Sequence, residues 1–106
     1  MKEAARQILL AQVKNSLDIT WEDDGTDEKV LNWIDSGAAY LDGKRGEAGD
    51  YLATGLPRTL LFEYARYARD AALDVFENNY QSLILAMQNG RKVDAYELEE
   101  AAAAES

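Results

Sequence analysis

GLPRTLLFEYARYARDAALDVFENNYQSLILAM, residues 55–87, is the stretch that decides the fold class of this 106-residue chain. Its apolar side chains recur at spacings of three and four, which is the period of an α-helix and not of a strand. Pro57 stands at the start of the pattern, where a helix does not need the missing N–H. The pattern is broad enough for a central helix covered on two sides. It predicts a weak point at Asn78–Asn79 and a stop at Asn89–Gly90.

Two shorter helices are predicted before this stretch, with a loop between the second of them and the central helix. Apolar residues follow helical spacing over residues 3–17 and again from Asp27 to Leu41. The segment from Asp42 to Gly55 contains four glycines and mixed charge, so a loop is predicted there, and loops of this length are often functional. We therefore expect an all-α fold, a small helical bundle around one long central helix.

The domain organisation follows from the same pattern. One helical domain is predicted over residues 1–90, followed by a C-terminal arm over residues 91–106. The only sizeable apolar side chains of the arm are Val93, Tyr96 and Leu98, too few for a core of its own. Because a short isolated helix is marginal in water, we expect another chain to hold the arm.

The composition excludes most catalytic chemistry. Hydrophobic residues make up 47% of the chain, as in a globular domain, while cysteine and histidine are both absent. Disulfides, thiolates, imidazole bases and most zinc, copper or haem sites are therefore excluded. Asp70 and Asp74 have no nucleophile or phosphate loop beside them in sequence, and Arg66 and Asp70 are spaced as an ordinary surface ion pair. We expect no enzymatic activity and no cofactor.

The acidic segment TWEDDGTDEKVL, residues 20–31, looks at first sight like a calcium-binding loop. If Gly25 were the turn glycine of such a loop, Thr20 and Leu31 would stand at its first and last positions. Both positions require carboxylates in a calcium site. We therefore expect no metal here.

A helix start accounts better for this acidic segment. Asp24 or Thr26 is predicted to cap the second helix, because short polar side chains accept the free N–H groups of a first turn. The acidic residues that follow are favoured by the helix dipole. Trp21 is expected to close the connection by laying its indole on the core. Together with Pro57, these residues are predicted to be structural.

The net charge of −9 argues against a protein that grips nucleic acid through its phosphates, because such proteins are basic. An acidic surface is still compatible with DNA that passes by without adhering. No apolar run approaches the roughly 20 residues that span a bilayer, and the residues from Met1 to Leu17 mix charge into every turn. We expect a soluble protein made in a cytoplasm, with no membrane partner.

The aromatic residues indicate a protein partner. Tyr64, Tyr67, Phe76 and Tyr80 all lie on the predicted central helix. Core packing suits Tyr64 and Phe76, but two short helices cannot cover the whole aromatic and alanine surface of the long one. Because tyrosine is favoured at protein interfaces, we expect part of this surface to contact another subunit.

Taken in order, these segments resemble a known family. ILLAQVKNSLDITWEDDGTDEKVLNWIDSGAAYLD, residues 8–42, looks like the start of the head–tail connector proteins of long-tailed double-stranded DNA bacteriophages, also called adaptor or head-completion proteins. In that family a first helix leads through an L-x-I-T-W-x-D-x-x-T-D turn to a second helix. The LPRTLLFEYARYAR start and the ALDVFENNYQSLIL run are similar to the second half of the family. The resemblance covers most of residues 8–88.

This resemblance implies a structural virion protein without catalysis. Its copies would form a ring of about twelve subunits that docks beneath the portal protein. Such a ring extends the DNA channel, which DNA traverses without specific binding, and provides the platform for the tail or for a stopper protein. The implied location is the head–tail interface of the virion, after assembly in the host cytoplasm.

By analogy with such connectors, two sets of residues are expected to contact partners. The residues expected to hold the C-terminal arm on the portal are Arg91, Lys92, Val93, Tyr96 and Leu98. The residues expected at a subunit or tail-side interface are Lys44, Arg45, Tyr51, Arg66, Tyr67, Arg69 and Tyr80.

Two other functions stay open on the sequence. A small helical regulatory or adaptor module that uses its long helix as a dimer predicts a dimer in solution and a protein client, without a ring. A calcium-sensing module predicts a melting temperature that depends on calcium.

Overall fold

A computed structural model describes the backbone of residues 1–105 and the side chains of residues 1–90. The chain forms the helices α1 (Glu3–Ser16), α2 (Asp24–Arg45), α3 (Leu56–Arg69) and α4 (Leu73–Glu105). No strand occurs over residues 1–105, so the all-α prediction is confirmed. In the part of the chain that the structure describes, no helix is both long and apolar enough to cross a membrane.

The predicted central helix is divided in two, and the break lies at Asp70–Ala72 instead of Asn78–Asn79. Ala71 adopts a left-handed conformation with a φ of 54°. The N–H of Ala72 donates to the carbonyl of Tyr67 at 2.8 Å and so closes the end of α3. The prediction of one long central helix is therefore wrong, and α3 and α4 pack against each other as a hairpin. The sequence gives no sign of the break, because alanine is the best helix former.

Two further boundaries differ from the predictions. α2 continues to Arg45 and ends at the left-handed Gly46, whose φ is 82°, so the loop covers residues 46–55 and not 42–55. α4 continues through Gly90 to Glu105, since one glycine inside a helix costs only about 1 kcal/mol and does not stop it. No helix end therefore separates residues 1–90 from the predicted arm.

One hydrophobic core joins the four helices. The largest fully buried side chains are those of Leu9, Val13, Val30, Ile34, Leu41, Leu60, Leu61 and Phe76. α2 contacts each of the other three helices, whereas α1 and the described part of α4 make no contact with each other.

α2 separates α1 from α4. On one side, Arg6 Nη2 of α1 pairs with Asp35 Oδ2 at 2.9 Å. On the other side, Lys44 Nζ pairs with Glu77 Oε1 of α4 at 2.5 Å. The step from Asp35 to Lys44 is about two and a half turns of helix, so the two side chains leave α2 in opposite directions. α1 and α4 consequently lie on opposite sides of the layer formed by α2 and α3.

Candidate protein-interaction surface

An aromatic cluster fills the junction of α2, α3 and α4. Its members are Tyr40, Tyr64, Tyr67, Phe76 and Tyr80. Phe76 lies at the centre and is 2% exposed. Its ring centroid is 5.4 Å from that of Tyr64, 5.6 Å from that of Tyr67 and 5.1 Å from that of Tyr80. Aromatic pairs at such distances add about 0.5–1.5 kcal/mol each beyond their area burial. The cluster therefore holds the α3–α4 hairpin closed and half-buries the tyrosines within the protomer.

Polar groups orient the outer edge of the aromatic cluster. The Tyr80 hydroxyl donates to Glu63 Oε2 at 2.7 Å and accepts from Arg66 Nη2 at 3.4 Å, and Arg66 also pairs with Glu63. Burial, together with the hydrogen bond to the Glu63 carboxylate, raises the pKa of Tyr80 to about 12. The predicted surface pair of Arg66 with Asp70 is wrong, because Asp70 pairs with Arg69 at 3.0 Å. Arg66 pairs instead with the carboxylate of Glu63, which lies one turn earlier in α3.

A second polar group lies where α2 meets α4. Lys44 pairs with Glu77 and lies over the Tyr40 ring, with its Nζ 5.6 Å from the centroid. Burial, together with the Glu77 carboxylate, raises the pKa of Tyr40 to about 12. The Lys44 carbonyl also accepts from Gln88 Nε2 at 2.7 Å. Lys44 therefore joins two helices of its own protomer, with about a third of its side chain still exposed.

Tyr51, predicted at an interface, is instead part of the core. The side chain is 4% exposed, and its hydroxyl donates to Asp42 Oδ1 at 2.5 Å. Asp42 Oδ1 also accepts from the Gly49 N–H at 2.9 Å, and Arg58 Nη1 donates to the Tyr51 carbonyl at 3.0 Å. Burial raises the pKa of the Tyr51 hydroxyl above its usual range, and the Asp42 carboxylate adds to this shift. Tyr51 thus fixes the loop 46–55 to its own protomer and offers almost no surface to a partner.

The turn between α1 and α2 corrects two further predictions. The N-cap of α2 is Asp23 and not Asp24, because Asp23 Oδ2 accepts from the Thr26 N–H at 2.8 Å and from Thr26 Oγ1 at 2.9 Å. The hydrogen bond from the Thr26 backbone holds the pKa of Asp23 below its usual range. Trp21 does not lie on the core, since it is 54% exposed, and its Nε1 donates to Thr26 Oγ1 at 3.3 Å. Pro57 lies in the first turn of α3.

The structure brings together only some of the predicted interface residues. Arg66, Tyr67 and Tyr80 meet at the aromatic cluster. Arg45 lies apart at the end of α2, 3.5 Å from Glu47, and Arg69 donates to the Leu17 carbonyl at 3.3 Å, near the α1–α2 turn. The portal-docking residues Arg91, Lys92, Val93, Tyr96 and Leu98 have side chains outside the described residues. In the described part of the chain, no three acidic side chains are grouped so that they hold a metal ion.

The outward surface of α4 was not identified from the sequence. The run NNYQSLILAMQNG, residues 78–90, contains no charged residue, although 29% of the chain is charged. Tyr80, Ile84 and Met87 face inward. The α4 outer face, by contrast, consists of exposed residues at helical spacing: Asn78, Ser82, Leu85, Ala86 and Asn89. The long uncharged run is the sequence signal that identifies this face.

α1 presents a similar surface on the opposite side of the protomer. The α1 outer face consists of Ala4, Ile8, Ala11 and Asn15, which are all exposed and uncharged, and Ile8 is 48% exposed. Charge depletion with exposed aliphatic side chains is typical of the centre of a protein–protein interface. No family model, curated protein or solved structure matches the chain, so no relative assigns a partner to either face.

Proposed function

We propose that the protein is a structural head–tail connector subunit that forms a ring beneath the portal of a long-tailed bacteriophage. One observation carries the proposal: the residues of the two connector-like motifs of the second half meet in space. Arg66 and Tyr67, from the YARYAR segment, contact Tyr80 and Phe76, from the VFENNY segment. Motif residues that pack on one another behave as a single fold signature, which is stronger support than either motif alone.

The turn motif of the first half has a comparable structural role. In ITWEDDGTD, Asp23 and Thr26 form the cap that starts α2, and Lys14 of α1 reaches across the turn to Asp27 at 2.7 Å. Ile19, from the same motif, is buried in the core. The motif therefore sets the angle at which α1 enters the bundle.

The charge distribution is compatible with a DNA channel. The chain carries a net charge of −9, and Glu22, Asp24 and Glu28 are exposed around the α1–α2 turn. An acidic surface repels the phosphate backbone, so DNA would pass such a ring without being retained. We propose that the acidic turns face the lumen or its rim.

The extension of α4 provides the segment that would reach the portal. Met87 is the last buried residue among residues 1–90, and α4 continues from there to Glu105. At about 1.5 Å per residue, the helix extends about 27 Å beyond Met87. We propose that this extension docks on the portal through its apolar side chains, while the uncharged outer faces serve contacts within the ring.

The proposal is tested by mixing the protein with the cognate portal protein, from the same bacteriophage, and examining the mixture by electron microscopy. A connector adds ring density coaxial with the portal. A triple variant with Val93→Ala, Tyr96→Ala and Leu98→Ala is expected to lose this density, whereas its matched control with Glu97→Gln, Glu99→Gln and Glu100→Gln is expected to retain it. A stable dimer that never binds the portal would contradict the proposal and support a regulatory module. Loss of binding in the glutamine variant alone would show that charge, and not the apolar side chains, directs docking.

A further inference from the structure

We infer that neighbouring copies of this chain contact head to tail, with the α1 outer face of one copy packed against the α4 outer face of the next. The inference rests on the proposed ring and specifies which surfaces close it. The occupant of each face is a second copy of this chain.

The positions of the two faces favour this arrangement. A cyclic ring of more than two copies requires two different patches on each subunit, because each subunit contacts its two neighbours through different surfaces. α1 and the described part of α4 do not touch. Their ion pairs with Asp35 and Lys44, on opposite faces of α2, place them on opposite sides of the α2–α3 layer. A protomer with complementary patches on opposite sides builds a closed ring or an open filament, not a two-fold dimer.

The charges of the chain limit where two copies can approach. Each copy carries a net charge of −9, so most pairs of surfaces bring carboxylates together. Like charges that face each other across an interface oppose association. The α1 outer face and the α4 outer face carry no charged residue, so copies that meet there avoid this repulsion.

The side chains of the two faces also suit helix-to-helix packing. Each face combines one large aliphatic residue, Ile8 or Leu85, with small neighbours such as Ala11 and Ala86. Ile8 is 48% and Leu85 is 49% exposed, so each has apolar surface left to bury. Small residues allow two helices to approach within about 8–10 Å, which lets the large residue of one fill the groove of the other. An α1–α4 contact would therefore cover two exposed aliphatic side chains at each junction.

Cross-linking of single-cysteine variants tests the inference, since the natural chain contains no cysteine. The variants are Ile8→Cys, Leu85→Cys and, as a matched exposed control away from both faces, Ser36→Cys. Each is treated at high protein concentration with a short flexible bismaleimide. An equimolar mixture of Ile8→Cys with Leu85→Cys is expected to form a covalent dimer on the order of tenfold faster than Ser36→Cys alone or than either face variant alone. The double variant Ile8→Cys/Leu85→Cys is expected to give a ladder of covalent multimers.

Two results would overturn the inference. If Leu85→Cys or Ile8→Cys alone cross-links as fast as the mixture, the contact is two-fold and not head to tail. If the mixture reacts no faster than Ser36→Cys, these faces do not meet. Rings on the portal without the 8–85 cross-link would retain the proposed function and reject the inference. A cross-linked ladder without portal binding would support the inference and reject the proposed function.

Discussion

Gly37 of α2 lies against the ring of Tyr64 in α3 so closely that a Cβ on Gly37 would be 2.8 Å from Tyr64 Cδ1. The same Cβ would be 2.7 Å from Leu61 Cδ1, and real Cβ atoms essentially never approach other atoms so closely. We expect Gly37→Ala to force the two helices apart and to lower the free energy of unfolding by about 1–3 kcal/mol, the usual cost of overpacking. Urea denaturation measures this change.

Gly43→Ala is the matched control for Gly37→Ala. Gly43 also lies in α2, but nothing lies within 4 Å of the Cβ it would gain. Replacing it should raise the free energy of unfolding by about 0.5–1 kcal/mol, because alanine is the better helix former. If both variants gain stability, Gly37 does not lie this close to α3.

These two glycines show where prediction from sequence ends. Both occupy interior positions of α2, and helical spacing from Ile34 and Leu41 places only Gly37 on the apolar face. The spacing does not show that Tyr64 and Leu61 of α3 lie against Gly37. The helical class and the start of α3 next to Pro57 were predictable, because periodicity and capping are local. The break at Ala71 was not, because tertiary packing holds a good helix former in a left-handed conformation there.

The candidate surface was predictable only in part, because tertiary packing decides which side chains remain exposed. The sequence identifies tyrosines that are favoured at interfaces, yet it does not show that Tyr51 is hydrogen-bonded to Asp42 inside the protomer. The charge-free run at residues 78–90 was visible in sequence. Its division into an inner and an outer face required the position of α4 on the bundle.

The hydrogen bond between Tyr51 and Asp42 is expected to hold the loop 46–55 in place. Tyr51→Phe keeps the buried ring but removes the hydroxyl that Asp42 Oδ1 accepts at 2.5 Å. We expect a loss of about 1–2 kcal/mol in the free energy of unfolding, the usual effect of leaving a partly buried acceptor with fewer partners. Faster proteolysis within the loop should accompany it.

Tyr67→Phe is the control for the Tyr51 variant. The Tyr67 hydroxyl accepts a hydrogen bond from Asn79 Nδ2 at 3.1 Å near the surface, where water can replace the lost partner. Its removal should leave cleavage in the loop 46–55 unchanged. Equal effects of the two substitutions on loop cleavage would reject the role assigned to Tyr51.

The N-cap of α2 predicts a specific response to acid. The Thr26 backbone N–H lowers the pKa of Asp23 from its ordinary 3.8, so the ionised cap stabilises the fold above that pH. The stabilisation is lost as the pH falls below 3.8 through the lower pKa of the folded state. Asp23→Ala should lower the melting temperature at neutral pH, while Asp23→Asn should change it little, because asparagine caps helices as well as aspartate does.

Acid titration of the Asp23 variants separates the cap from general charge effects. The difference in melting temperature between the natural chain and Asp23→Ala should shrink at the lowest pH values, where Asp23 is protonated. The difference between Asp23→Asn and Asp23→Ala should stay constant, because neither side chain titrates. If Asp23→Ala has the same melting temperature as the natural chain at neutral pH, Asp23 is not the residue that caps α2.

The aromatic cluster predicts a loss of stability in alkali. Burial raises the pKa of Tyr40 and of Tyr80 from 10.0 to about 12 in the folded chain. Above pH 10 the unfolded chain releases protons that the folded chain retains, so the free energy of unfolding falls as the pH rises. We expect little change of stability from this source below about pH 9 and a decline above pH 10.

Urea denaturation at a series of pH values, with tyrosinate absorbance followed in parallel, measures the alkaline effect. In the double variant Tyr40→Phe/Tyr80→Phe the free energy of unfolding should fall less steeply above pH 10, because the two hydroxyls that keep their protons in the folded chain have been removed. Identical slopes for the double variant and the natural chain would mean that these two hydroxyls titrate normally in the fold.

The central position of α2 has a consequence for the rate at which the chain folds. α2 packs against α1, which precedes it, and against α3, which follows it, and α3 in turn packs against α4. Most of the core therefore joins segments that are neighbours in sequence, and helical proteins with such local contacts fold within microseconds to milliseconds. At a micromolar concentration, typical association rate constants of about 10⁵–10⁷ M⁻¹ s⁻¹ bring two copies together in roughly 0.1–10 s, so folding finishes first. The supply of subunits, and not their folding, would then set the pace of any larger assembly.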